Sequence, residues 1–112
     1  MKFDKSLLSG STAMLVLSLL RDGDKYGYEM IAQLALRSEE AFQLREGTLY
    51  PVLHALEKRG CVAGYDAEAS GGRTRRYYRL TERGRRELDE QTAQWQAFSD
   101  AVGRVLKARC AP

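Results

Sequence analysis

At Gly60 the period of the chain changes, and no other feature limits the fold as much. Before Gly60, apolar residues recur at helical spacing in three blocks. After it come two short alternating segments, and then one long helical pattern. Helices repeat every ~3.6 residues and strands every ~2, so the two patterns are not interchangeable. The order is therefore helix, helix, helix, hairpin, long helix. Three short helices followed by a two-stranded hairpin describe a winged helix-turn-helix. The expected class is mainly α with a small β-hairpin, with residues 1–80 as the winged unit and 81–112 as a C-terminal dimerisation helix.

Residues 7–20, LLSGSTAMLVLSLL, predict a helix with Ser11 or Thr12 as its N-cap. From Ala13 to Leu20 it is apolar almost all round, so it needs cover on more than one side, from the core or from another subunit. Asp22-Gly23-Asp24 marks a turn. From Glu29 to Arg37, one stripe carries Met30, Ile31, Leu34 and Ala35. A third helix, from about Thr48 to Arg59, places Leu49, Leu53 and Leu56 at core spacing. With Thr48 as N-cap, Pro51 falls in the first turn, where its missing N–H has no helical partner. Gly60 then ends the helix.

Cys61 to Glu68 reads as a strand, Ala69 to Gly72 as a loop, and Arg75 to Leu80 as a second strand. Along that second strand Arg76, Tyr78 and Leu80 share one face, and Arg75, Tyr77 and Arg79 the other. Leu80 belongs in the core, so Tyr78 should point inward too. Thr81 is placed to cap the last helix, and Glu82 suits its positive end. Leu88, Trp95 and Val102 recur at intervals of seven, with Gln91, Phe98 and Val105 as a companion row. A projecting helix with such a seam calls for a partner, and a second copy is the most economical one.

The charge is unevenly spread. Net charge is +3, yet residues 1–60 hold 8 Lys/Arg against 8 Asp/Glu. Residues 61–86 hold 7 against 3, and residues 87–112 hold 3 against 4. All seven bases of the middle stretch are arginines, within the fourteen residues from Arg73 to Arg86. Arginine forks onto phosphates and base edges, so this hairpin points to nucleic acid.

Other chemistry lacks residues to perform it. His54 is the single histidine, and no serine sits in a G-x-S-x-G elbow. Glycine-rich phosphate loops and zinc-ligand spacing are absent too, so neither an enzyme nor a metal nor a cofactor is expected. Cys61 and Cys110 lie far apart and read as free thiols of a reducing cytosol. No apolar run reaches the ~18 residues of a membrane span, and no secretory signal is recognisable, so the expected location is cytoplasmic.

Four strings, read together at their spacing, are specific: LLSGSTAMLVLSLL, YGYEM, EGTLYPVLHALEKRGCV and GGRTRRYYRLTERGR. They resemble the PadR family of bacterial transcriptional regulators, from about Leu7 to Val105. The single C-terminal helix is similar to the short branch of that family, which includes multidrug-binding regulators. The resemblance implies a homodimeric repressor that binds double-stranded DNA at an imperfect inverted repeat and is released by a small molecule. It places DNA contacts at Tyr28, Thr48 and Tyr50, and in the wing at Arg73, Arg75 and Arg76. Charge and helix geometry add Arg45 and His54.

Trp95, fourteen residues after Thr81, is positioned like the tryptophan that flanks a flat apolar pore in the multidrug-binding members. The effector and dimer interface is accordingly expected at Leu88, Trp95, Phe98, Ser99 and Val102, with a small hydrophobic or aromatic effector. Thr92 and Ser99 are small and polar, and no acid sits beside Trp95, so a preference for cationic drugs is not expected. Two rival readings remain open. One is a winged-helix module that docks on an acidic protein. The other is a ligand-binding protein without specific DNA binding. Salt-dependent binding to a palindromic duplex separates them from the regulator.

Overall fold

The structure, a computed structural model, describes residues 3–107. It contains helices α1 (Lys5–Ser9), α2 (Thr12–Leu19), α3 (Gly27–Arg37), α4 (Glu46–Lys58) and α5 (Glu82–Lys107), and strands β1 (Lys25–Tyr26), β2 (Val62–Glu68) and β3 (Thr74–Leu80). The mainly helical class with a small antiparallel sheet is as the sequence predicts.

The helix expected over 7–20 is two helices. Asp4 caps α1 by accepting from the Ser6 N–H at 2.9 Å. The chain then breaks at Gly10 and Ser11. Serine and threonine hydroxyls compete for backbone groups, and that competition weakens helix continuity. Ser11 precedes α2 but makes no side-chain cap. Thr12 does not cap either: its Oγ1 donates backward to the Leu8 carbonyl at 3.0 Å. Val16, Leu17, Leu19 and Leu20 of this region are buried in the core.

The turn at Asp22–Asp24 leads into a strand that the sequence reading missed. β1 pairs with β3, and the sheet order is β1-β3-β2. Lys25 reaches back from β1, its Nζ 2.8 Å from the Leu19 carbonyl and 3.0 Å from Asp22 Oδ1. A lysine at a helix C-terminus satisfies an orphan carbonyl and suits the negative end of the dipole. Helix α3 begins at Gly27, and Glu29 accepts from the Tyr26 N–H at 3.1 Å. Met30 and Leu34 are buried, whereas Ile31 and Ala35 of the predicted stripe are partly covered.

α3 closes through Glu39 and Glu40, both with positive φ (52° and 68°). The Glu40 N–H bonds to the Ala35 carbonyl at 2.7 Å and the Glu39 N–H to the Leu36 carbonyl at 3.2 Å. This is a Schellman-type closure made without glycine.

α4 starts two residues before the expected cap. Arg45 is the N-cap residue and offers no side-chain cap, so Thr48 is the third residue of the helix. Pro51 is therefore inside α4, past the first turn. Its missing N–H deprives the Gly47 carbonyl of a helical partner. Gly47 and Pro51 are both exposed, so water reaches that carbonyl. Leu49, Leu53 and Leu56 are fully buried, as their spacing predicts. Gly60 (φ +78°) ends α4 in the left-handed region that glycine adopts without strain.

β2 and β3 pair from Val62↔Leu80 to Glu68↔Thr74. Tyr78 and Leu80 face the core, as the alternation predicts. Thr81 then joins sheet to helix. Its hydroxyl accepts from the Gly84 N–H at 3.0 Å and donates to the Gly60 carbonyl at 2.6 Å. The first turns of α5 pack into the winged core, with Gly84 and Leu88 buried. The start of α5 thus shares the core of the winged unit. The rest of α5, a helix of 26 residues, projects from it. The molecule is accordingly elongated, 68 × 30 × 21 Å.

Candidate nucleic-acid interface

α4 buries one side of itself and shows the other. The buried stripe runs through Leu49, Leu53 and Leu56. Helical spacing puts Gly47, Pro51, His54 and Lys58 opposite that stripe, with Thr48 on its flank. All five are exposed. A β-carbon built on Gly47 would meet nothing within 4 Å, so the start of this face is open. Arg45 stands exposed at the N-terminal end, where the helix dipole also favours an anion. Lys5 of α1 lines the same groove as Arg45 and Thr48, a cavity of about 690 Å³. Nothing in the sequence links Lys5 to α4; the fold alone brings the two cations to one groove.

The wing distributes its arginines unequally. At its tip Gly71 and Gly72 take positive φ, 85° and 79°, and the neighbouring Arg73 is exposed and outside every ion pair of the described residues. Arg75 lies on the outer face of the sheet with its guanidinium 4.4 Å from the centre of the Tyr26 ring. Tyr26 packs edge-on to Tyr77, and Tyr77 stacks on Tyr65, so one aromatic row crosses all three strands. The Tyr65 hydroxyl donates to Asp24, which pushes its pKa up. Arg76 lies on the opposite, inward face and meets two carboxylates, Asp66 and Glu57, each at 3.5 Å. It is not a free cation in this arrangement, because its charge is shared with two acids.

The two tyrosines assigned to DNA also part company. Tyr28, in the first turn of α3, is 67% exposed. Tyr50 is half-buried, and its hydroxyl fills the space where Gly27 lacks a β-carbon. Tyr50 thus locks α4 to the start of α3. His54 is exposed on α4.

Along α5, Leu88 is buried in the core of its own chain and is not available on the projecting face. Beyond it, Trp95, Phe98, Val102, Val105 and Leu106 are uncovered, Trp95 at 47% and Phe98 at 69% exposure. Ser99 lies between them, partly covered. Cys61 is fully buried and its thiol lies 3.0 Å from Glu87 Oε2. Burial and the adjacent carboxylate push the thiol pKa up, so the reactive thiolate is disfavoured. Cys110 lies outside the described residues.

No helix among the described residues is long and apolar enough to cross a membrane. Among them no group of three or more His, Cys, Asp or Glu could hold a metal ion.

Residues 16–90 match the model of the transcriptional regulator PadR-like family. The chain belongs to the PadR-like family of transcriptional regulators. The match runs from α2 into the first turns of α5, which is the unit that packs as one core. This PadR-like chain is also similar to solved regulators over nearly its whole length. It is 38% identical to a PadR family transcriptional regulator from Eggerthella lenta, over 93% of this chain and 88% of that one, with a TM-score of 0.81. A PadR-like transcriptional regulator from Bacillus cereus is 27% identical, over 93% and 99%, with a TM-score of 0.81. An uncharacterised protein of Lysinibacillus sphaericus is 32% identical over 86% of this chain and 88% of its own length. The Escherichia coli transcriptional regulator YqjI is 27% identical over 90% of this PadR-like chain, which spans 45% of YqjI. A regulator of transcription, and not an enzyme, is what the family assigns to this fold.

Proposed function

We propose that this PadR-like regulator is a cytoplasmic homodimer that represses transcription by occupying an imperfect inverted repeat in double-stranded DNA. The observation that carries the DNA reading is the open outer face of α4 beside a wing with an unpaired arginine at its tip. A major groove admits one α-helix, and Thr48, His54 and the exposed Arg45 would meet base edges and phosphates there. Arg73 would reach the flanking backbone or minor groove. Arg75 joins it if the guanidinium leaves the Tyr26 ring, and Tyr28 adds a hydroxyl from α3.

The dimer reading rests on α5. Five large apolar side chains beyond the core are uncovered on one terminal helix, which is an unusual concentration for a surface. A twofold partner would cover them and set two winged units on two half-sites. A small hydrophobic or aromatic effector between the two Trp95 rings would then shift the angle between the wings. Half-site spacing would no longer match, and the DNA would be released.

The test is binding of the whole chain to the DNA upstream of its own gene, titrated with salt. A discrete complex that survives excess unrelated duplex supports the reading. A complex that unrelated duplex removes overturns specific binding at that site.

A further inference from the structure

We propose that Glu57 and Arg76 form a strap that fixes the wing against α4, and that this strap determines the sequence specificity of the regulator. Arg76 is then a positioning residue and not a phosphate contact. The proposal rests on the DNA-binding reading above.

The geometry is built by three elements. β3 turns Arg76 to the inner face of the wing, the face it shares with Tyr78 and Leu80. Asp66 of β2 is its direct cross-strand partner, and Nη1 of Arg76 stands 3.5 Å from Asp66 Oδ1. Nη2 stands 3.5 Å from Glu57 Oε2 of α4. The same Glu57 oxygen accepts from the Gly64 N–H at 3.2 Å. β2 is an edge strand, so this N–H has no ladder partner and is free for the helix. One carboxylate on α4 is thus held by the backbone of β2 and by the guanidinium of β3.

Gly64 makes the arrangement possible. A β-carbon there would stand 2.8 Å from Arg76 Nη2 and 2.9 Å from Nε. The glycine leaves the planar guanidinium room to lie across the strand toward α4, where a β-carbon would make it shift. Arginine is also needed, because its fork spans two carboxylates and an ammonium does not.

The strap has two consequences for recognition. It fixes the angle between the helix that would read bases and the hairpin that would hold the flanking backbone. It also neutralises Glu57, a negative charge on a helix that has to approach phosphates. Simple electrostatics and the strap therefore predict opposite signs for Glu57→Gln. Removal of a negative charge alone strengthens binding to every duplex. Loss of the strap weakens binding to the preferred duplex and leaves the preference poorer.

The experiment uses the full chain and two duplexes of about three helical turns each. One is the best sequence selected from a random library by the unaltered protein, and the other is its scrambled version. Affinities are measured for the unaltered protein, Glu57→Gln, Arg76→Lys, Arg76→Met and the Glu57→Gln/Arg76→Met pair, with circular dichroism to confirm folding. The expected result is a fall of about tenfold in the ratio of specific to non-specific affinity for each single variant. The pair should lose no more than either single variant, because both break one strap. The salt slope of Arg76→Met should be unchanged. A slope lowered by about one, with the ratio preserved, would make Arg76 a phosphate contact and overturn the proposal. Equal tightening on both duplexes by the isosteric Glu57→Gln would overturn it as well. An unaltered protein that binds no duplex at all defeats the DNA reading itself and takes the strap's role with it.

Discussion

Gly84 of α5 lies against the main-chain carbonyl of Cys61, with no room between them for a β-carbon. The Leu80 side chain closes the same space from the other side, 2.7 Å from where that carbon would stand. The projecting helix is therefore seated on the α4–β2 turn by backbone contact. Gly84→Ala should destabilise the protein by about 1–3 kcal/mol, the usual effect of overpacking a rigid site. Urea unfolding at one fixed protein concentration measures it. An unchanged midpoint would mean that the seat yields easily.

Beside that seat, Cys61 and Glu87 give stability a pH dependence. The folded thiol pKa is raised, first by burial and then by Glu87. A group with a raised folded pKa favours the folded state while protonated. Its contribution is complete below the unfolded thiol pKa, about 8.5, and is lost as pH rises through the folded value. Cys61→Ala should remove that part of the alkaline decline, though it lowers stability at neutral pH. Urea midpoints from pH 7 to 10 for the two proteins make the comparison. Parallel curves would exclude the thiol as a source of the decline.

Glu40 holds a left-handed conformation in which a side chain is disfavoured. Glu40→Gly should therefore raise stability by about 0.5–1 kcal/mol, after the greater entropy of an unfolded glycine is subtracted. Thermal unfolding followed by circular dichroism reports the sign. A fall in Tm would show that the carboxylate makes a contribution larger than the strain.

The exposed α5 seam predicts an assembly that one charge can break. Val102→Asp should abolish the proposed dimer and leave the winged core folded, since Val102 lies well beyond the buried Leu88. Sedimentation gives the mass. Trp95, the single tryptophan, gives a second signal, with emission shifting to the red as its apolar cover is lost. A variant that remains dimeric would move the interface off this face.

Arg73→Ala should lower the salt slope of DNA binding by about one, as expected for one lost phosphate contact. Arg75→Ala should lower it by the same amount only if the guanidinium leaves the Tyr26 ring when DNA binds. An unchanged slope for Arg73→Ala would remove the wing tip from the contact surface.

Much of this fold is legible in the sequence because it follows from burial. Leu49, Leu53 and Leu56 mark α4, and the alternation of Tyr78 and Leu80 fixes which face of the hairpin is inside. Thr81 announces α5 through its cap. The misses have a common cause, which is partners distant in the chain. β1 is only two residues long and exists because β3 pairs with it. Thr48 reads as a cap in the sequence, but α4 extends back to Glu46, and Pro51 is tolerated on an exposed face. The site is less legible than the fold. The resemblance assigns Arg76 to DNA with Arg73 and Arg75, and only the structure places Glu57 and Asp66 around it. The packing of the Tyr50 hydroxyl over Gly27 is likewise visible only in the structure, because the two residues lie on different helices.

The most direct test of the central claim is selection of binding sites from a random duplex library by the full chain at near-physiological salt. A dimeric reader with α4 in the major groove predicts enrichment of an inverted repeat, with half-site centres about one helical turn apart or a multiple of it. Enrichment of no sequence, with all binding lost as salt rises, would contradict sequence-specific recognition and leave the arginine wing without this role.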